Sequence, residues 1–343
     1  MGRPKSDHKK QPGCCLKFFM ACILITITPL ALANENLSSN IPQIDLHYEP
    51  IQPLTSPQGL DHRKVTLGES LFHDNRLSKD NALSCSSCHD LSNNGADQIT
   101  YGIGNNGKKL TFNTLTVFNS SLNHRLFWDG RATTLEEQIN FVVQSEREFS
   151  SNWPVIIGKL KQDQKYVKSF KKIYDNGINA DNIRDAIATF ERTLITTNSR
   201  FDRYLLGDNN AINAEEKSGY RLFKSYGCIA CHQGQNVGGN LFMKLGVFKE
   251  YFTDYNNQTL ADQGRFNITK NEQDRHVFRV PGLRLAALTP PYLHNGAAKT
   301  LEQTVHIMAK HQLGRSIPEV DIKQIVAFLK TLPGEYQGQP LGN

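Results

Sequence analysis

Cys85-Ser86-Ser87-Cys88-His89 and Cys228-Ile229-Ala230-Cys231-His232 are the two stretches on which the reading of this chain turns. C-x-x-C-H is the attachment signal for a c-type haem. The two thiols add to the haem vinyl groups as thioethers, and the adjacent imidazole is held where it can bind the iron. The chain has 7 cysteines, and the other three, Cys14, Cys15 and Cys22, all fall within the first 33 residues. A disulfide or a zinc site is the plainer reading of paired C-x-x-C. Zinc sets, however, come as tight Cys/His groups with shorter separations than the 143 positions from Cys85 to Cys228. Two covalently bound haem c groups are therefore the expectation.

Working outward, the N-terminus reads as a targeting segment. Arg3, Lys5, Lys9, Lys10 and Lys17 precede an apolar run from Phe18 to Ala33. That run ends in Ala31-Leu32-Ala33, an A-x-A-like cleavage site, so 1–33 is expected to be a cleaved signal peptide. The run is short for a membrane span and no later segment is apolar enough to be one, so the mature form is not expected to span a membrane. Removing the leader takes five basic residues and one Asp with it, which brings the net charge from +6 to about +2. So small a value implies neither nucleic acid nor an anionic membrane surface. Four cysteines, all in haem motifs, fit the bacterial periplasm, where c-type haem is attached and stray thiols are oxidised.

The 343 residues are enough for two domains. Residues 34–60, rich in Pro, Asn, Ser and Gln, read as an irregular arm. Gly68-Glu69-Ser70-Leu71-Phe72 leads towards the first haem motif and Gly219-Tyr220-Arg221-Leu222-Phe223 towards the second. Both are G-x-x-L-F, a weak internal repeat with eight extra residues before the first pair of cysteines. The fold expected is mostly α-helical: two cytochrome-c-like domains, 61–205 and 206–343, each with one haem under long covering loops. Asp181 is expected to cap a helix bearing Ile183, Ile187, Phe190 and Leu194 on one face, and Thr300 to Gln303 reads as a capping box. Ile322, Ile325, Val326 and Leu329 mark a last helix, stopped by Pro333-Gly334. The stretches 90–127 and 233–290 read as loops that wrap haem edges.

What two haems do depends on the sixth position of each iron: two strong side-chain ligands make an electron carrier, an open face admits a substrate. Met308 shares a helix face with Leu301 and Val305, where it is either core filler or a ligand to the second haem. Trp128, in Phe127-Trp128-Asp129-Gly130-Arg131, is either packing or an electron relay. Gln144-Ser145-Glu146-Arg147-Glu148-Phe149 is either a solvated charged face or the source of a carboxylate over an open iron. Peroxide must lose a proton to bind and regain one on its far oxygen, and one carboxylate can do both. The residues alone do not choose among Glu146, Glu148 and their neighbours.

The chain resembles the bacterial di-haem cytochrome c peroxidase family, which also contains MauG. The resemblance runs from about Leu67 to Gly314. It is carried by LGESLFHDNRLSKDNALSCSSCH, NTLTVFNSSLNHRLFWDGRATTLEEQ, CIACHQGQNVGGNLF, VPGLRLAALTPPYLHNGA and TLEQTVHIMAKHQLG. It implies that His89 and His232 bind the two irons and that Met308 completes the second, electron-accepting site. It makes Glu148 the peroxide-handling carboxylate, Gln138 its pocket partner and Trp128 the aromatic between the haems. Asn113, Thr289 and Pro291 match the family's calcium site, and oxygen donors suit a hard cation. His294 matches a family histidine whose role stays open here. His47, His62, His73, His276 and His311 read as surface residues or residues behind the site, and His306 points away from Met308.

The function implied is a periplasmic peroxidase. It reduces hydrogen peroxide to water with electrons from a donor cytochrome c or cupredoxin, entering at the second haem. The family suggests a homodimer. Two other classes stay open: a MauG-like oxidase of partner-protein residues, which has Tyr where this chain has Met308, and a simple di-haem electron carrier. Many relatives carry a histidine on the loop after the first motif that caps the oxidised peroxidatic iron. Here that loop is Gly102-Ile103-Gly104-Asn105-Asn106-Gly107, with Asn105 at the histidine's place and no histidine between His89 and His124. Asn is a poor ligand for ferric haem, so the His89 haem is expected to be high-spin as isolated and to need no prior reduction.

Overall fold

The computed structural model describes residues 45–254 and 258–342; the leader expected over 1–33 lies outside them. The described chain is mostly α-helical. Its helices are α1 (His62–Phe72), α2 (Leu135–Gln144), α3 (Trp153–Lys161), α4 (Gln164–Ile173), α5 (Ala180–Glu191), α6 (Arg200–Leu205), α7 (Ala214–Ser225), α8 (Phe266–Thr269), α9 (Leu301–Ile307) and α10 (Glu319–Leu329). Two small antiparallel ribbons complete it, β1 (Phe242–Lys244) with β2 (Val277–Arg279) and β3 (Glu335–Tyr336) with β4 (Gln339–Pro340). The stretches read as haem-covering loops hold mainly single turns and the β1–β2 ribbon.

Local chemistry sets the helix starts. The Asp61 side chain caps α1 by accepting from Arg63 N, and Asn213 with Glu216 forms a reciprocal capping box on α7. On α5 the cap is Asn179, not Asp181. Asp181 lies in the first turn, where a negative charge suits the positive end of the helix dipole. Thr300 caps α9 by accepting from Gln303 N at 3.2 Å, but the Gln303 side chain returns to the Lys299 N–H at 2.8 Å, one residue before the cap.

The G-x-x-L-F repeat is a helix crossing made twice. In α1, a Cβ placed on Gly68 would lie 2.0 Å from the Ala186 carbonyl oxygen of α5. In α7, a Cβ on Gly219 would lie 1.9 Å from the Gln324 carbonyl oxygen of α10. Only a residue without Cβ lets the two backbones approach so closely. The aromatic of each repeat seals its crossing: Phe72 meets Phe190 at 5.3 Å between ring centroids, and Phe223 meets Phe328 at 5.2 Å. Each crossing anchors a core. The first gathers Leu67, Leu71, Phe72, Ile183, Ile187 and Phe190; the second gathers Phe201, Tyr220, Phe223, Ile322, Val326 and Phe328. A third, smaller cluster holds Trp128, Tyr251, Phe252, Phe278 and Leu293, with Met308 at its margin.

The arm forms no helix or strand over 45–60, yet it is strapped down. Ile51 is fully buried in the second core, and Pro50 O accepts from Gly234 N at 2.8 Å. Arg284 donates to Gln52 O and Gln235 O, both at 2.7 Å, and pairs with Asp202 of α6 at 2.6 Å inside the protein. A buried pair of this kind ties arm, helix and loop together.

Candidate functional site

Each C-x-x-C-H motif forms one turn of 3₁₀ helix, Cys85–Ser87 and Cys228–Ala230. In both, the histidine N–H donates to the carbonyl of the first cysteine, at 2.9 Å for His89 and 3.0 Å for His232. His89 Nδ1 lies 3.1 Å from Gly95 O, and His232 Nδ1 3.3 Å from Val237 O. A carbonyl at that distance fixes the tautomer with the proton on Nδ1, which leaves Nε2 free to bind a metal. Burial pushes both imidazoles down in pKa, His232 to about 4, so both are neutral donors at physiological pH. The four cysteines are free thiols, not disulfides.

The first motif opens onto a cavity of about 550 Å³ whose walls include Cys85, Cys88, His89, Trp128, Gln138 and Glu148. Gln138 projects from α2, and Glu148 follows on the turn after that helix. Between the two carboxylates the sequence could not separate, Glu146 is exposed while Glu148 faces the cavity. Glu148 Oε2 is buried and has no hydrogen-bond partner among the described residues. Burial raises the Glu148 pKa, and the charge of Arg131 pulls weakly the other way. The loop over 102–110 is docked against this turn. Asn105 N donates to both Arg147 O (3.1 Å) and Glu148 O (3.0 Å), and Arg147 Nη1 donates to Lys109 O at 3.2 Å. Gly104 lines the cavity, and a Cβ there would sit 1.8 Å from Arg147 O. Asn105 is itself buried.

The second motif opens onto a cavity of about 230 Å³ that Cys228, Cys231, His232 and Met308 line. Met308 ends α9 and starts a five-residue π-helical turn, Met308–Gln312, a distortion that recurs at functional sites. Leu301 and Val305, its expected face-mates, line the same cavity. His306 turns away and meets Glu319 at 2.7 Å near the surface. His311, read as a surface or supporting residue, is buried, its Nδ1 2.9 Å from Lys249 O.

Trp128 and Asn113 line both cavities. Trp128 Nε1 donates to Asn113 O at 2.9 Å, and Asn113 N donates to His294 O at 2.8 Å. His294, fully buried, sits 2.6 Å from Asp262 Oδ1 and edge-on to Trp128. Thr289 and Pro291 line the second cavity beside Asn113. The Asn113 amide donates to Ile99 O, while its Oδ1 accepts from none of the described residues.

Three side chains escaped the sequence reading. Arg131 lies 3.4 Å over the Phe127 ring, pairs with Asp129 at 3.0 Å and lines the first cavity. Glu191 lines the same cavity, buried, with its pKa pushed up to about 8 by desolvation. It falls four residues after Ile187, so a charge on the apolar stripe of α5 was the available signal. Arg279 lines both cavities, and its signal was a cation within the apolar run Val277-Phe278-Arg279-Val280.

The comparisons with known proteins agree with this geometry. Residues 62–210 match the model of the family described as di-haem cytochrome c peroxidase. The chain is 45% identical over 290 residues to cytochrome c551 peroxidase of Nitrosomonas europaea, covering 84% of this chain and 85% of that protein. It is 43% identical over 303 residues to cytochrome c peroxidase Ccp of Escherichia coli, covering 88% of this chain and 65% of that longer protein. A crystal structure of a MauG-like protein associated with microbial copper homeostasis superimposes with a TM-score of 0.72 at 27% identity, over 88% of this chain and 96% of that one.

Proposed function

The chain belongs to the di-haem cytochrome c peroxidase family and is an oxidoreductase that reduces peroxide; we propose that its substrate is hydrogen peroxide, reduced in the periplasm with electrons from a donor cytochrome c or cupredoxin. The observation that carries this reading is the unpaired, buried Oε2 of Glu148 in the cavity that His89, Cys85 and Cys88 share. A carrier of electrons needs no acid/base group there.

The residues present fit two covalent haems: each cavity holds two free thiols and a neutral imidazole whose Nδ1 is already engaged by a carbonyl. Bound there, the irons supply one-electron storage at both sites and, at the first, a position where peroxide can bind. The chain's own groups do the rest. Glu148 accepts the proton that peroxide sheds on binding and returns it to the far oxygen, which leaves as water. Its burial, by raising its proton affinity, suits it to hold that proton between the two events. Gln138 offers amide hydrogen bonds to orient the peroxide. Each turnover consumes two protons and two electrons and yields two waters.

Met308 and His232 line the second cavity and would supply a thioether and an imidazole to a haem held there, a ligand set that would leave no place for substrate and would raise the potential. Trp128, walling both cavities, lies on the electron's way between them. We read one haem domain around each crossing, 61–205 and 206–343, although Ile51, Phe201 and Leu205 pack into the second core and Leu285 into the first. Asn113 Oδ1, with carbonyls of Thr289 and Pro291, would give calcium the hard oxygen donors it prefers. No helix among the described residues is long and apolar enough to cross a membrane. The test is steady-state peroxide consumption with a reduced cytochrome or cupredoxin. Glu148→Gln should lower turnover about a hundredfold or more with both haem spectra kept. Two-haem protein that consumes no peroxide with either donor overturns the reading.

A further inference from the structure

The strand β2 ends on Arg279, which is 3% exposed. Its Nε donates to Phe127 O at 3.2 Å, and its Nη1 to Asn123 Oδ1 at 3.0 Å and Val280 O at 3.4 Å. Nη2 donates to none of the described residues, and no carboxylate among them pairs with the guanidinium. The contrast is Arg284, equally buried, which the fold supplies with Asp202 at 2.6 Å. A buried cation without an anion is costly. Arg279 lines both cavities, and its backbone N–H holds Trp128 O at 2.8 Å, so the charge sits in the wall the two sites share. Desolvation lowers its pKa to about 10, which still leaves it charged at neutral pH.

Thioether attachment consumes the haem vinyl groups and leaves both propionates as carboxylates. We propose that Arg279 is a carboxylate-binding residue for the bound cofactors, its free Nη2 holding a haem propionate at the wall between the cavities. The missing anion is then supplied by the cofactor rather than by the chain. Nη2 carries two N–H groups on the planar fork that suits a carboxylate. This assignment rests on the two-haem reading of the cavities, and haem content tests that reading separately.

The experiment uses the holoprotein and its Arg279→Gln and Arg279→Lys variants. Haem per chain is measured by the pyridine haemochrome, potentials by spectroelectrochemical titration at several pH values, and propionate bending by resonance Raman. In Arg279→Gln, with two haems bound, losing the cation should disfavour the added electron. The reduction equilibrium of at least one haem should fall tenfold or more, about 59 mV for one electron. That potential should also become more pH-dependent, because the released propionate titrates. Arg279→Lys, which keeps charge without the fork, should restore most of the potential while shifting the propionate band. Unchanged potentials and pH slopes in two-haem Arg279→Gln overturn the assignment. If that variant does not fold, an unshifted propionate band in Arg279→Lys overturns it. Wild-type protein with fewer than two haems overturns the two-haem reading and the assignment with it.

Discussion

Gly104→Ala tests whether the loop over 102–110 positions Glu148, the carboxylate proposed to handle peroxide. A Cβ at residue 104 would stand 1.8 Å from Arg147 O, whereas Cβ contacts under 3.0 Å essentially do not occur. Loop and turn must therefore separate by at least 1.2 Å along that line. The two Asn105 N–H bonds, at 3.1 and 3.0 Å to Arg147 O and Glu148 O, cannot survive such a shift in hydrogen-bond range. Displacing a reacting group by about 1 Å can cost 10²-fold in rate. Gly104→Ala should thus lose about 10²-fold in kcat, measured with reduced donor and saturating peroxide, while both haems remain attached. Gly158→Ala on α3 is the control: nothing lies within 4 Å of its Cβ, and it should be neutral or stabilise the helix by about 0.5–1 kcal/mol. A folded, two-haem Gly104→Ala enzyme within threefold of wild-type kcat would refute the reasoning.

Replacing Met308 by Leu should preserve the fold and lower the second haem's potential. Loss of the near-infrared sulfur-to-iron band is the direct check, and an unchanged band sinks ligation. Glu191 is buried and moved from an ordinary 4.5 to about 8, so it stays protonated in the folded chain after the unfolded chain has released its proton. Stability should therefore decline as pH rises from about 4.5 to about 8, by up to about 5 kcal/mol at 1.36 kcal/mol per pKa unit. Urea titrations of Glu191→Gln across that window should show a shallower decline; parallel profiles would remove Glu191 from the account. Electron paramagnetic resonance of the oxidised protein should contain a high-spin ferric component from the His89 haem. Two low-spin signals alone, or an absolute need for reduction before the first turnover, would contradict the open-site expectation drawn from Asn105.

The haem motifs and helices α1, α7 and α10 were legible because they rest on short-range signals, a pentapeptide or an apolar period, whereas Trp128, Gln138, Glu148 and Met308 were picked out by the family resemblance. What stayed hidden depends on contacts made across the chain. Nothing local distinguishes Glu146 from Glu148; in the fold Glu146 is exposed, while Glu148 lines the first cavity with a buried Oε2. The cap of α5 went to Asn179 rather than Asp181, a two-residue choice between equally good side chains. The arm read as irregular, and its described part, 45–60, is, but Ile51, fully buried, meets a core formed far along the sequence. Arg279 and Glu191 drew no reading from the sequence because the cavity they line is assembled from segments on both sides of them.

The two glycine crossings also order events in time. Gly68 meets residue 186 and Gly219 meets residue 324, so each closes across more than 100 positions of chain. The first cysteine pair follows α1 directly, while its closing helix, α5, begins about 90 residues later. A chain emerging from its N-terminus therefore presents Cys85 and Cys88 well before the crossing of α1 with α5 can form. Contacts so distant in sequence are slow to make. The same delay recurs between Cys231 and α10. With haem c attached as proposed, long-range closure would leave each thiol pair accessible for an interval, and the topology itself would act as the timer.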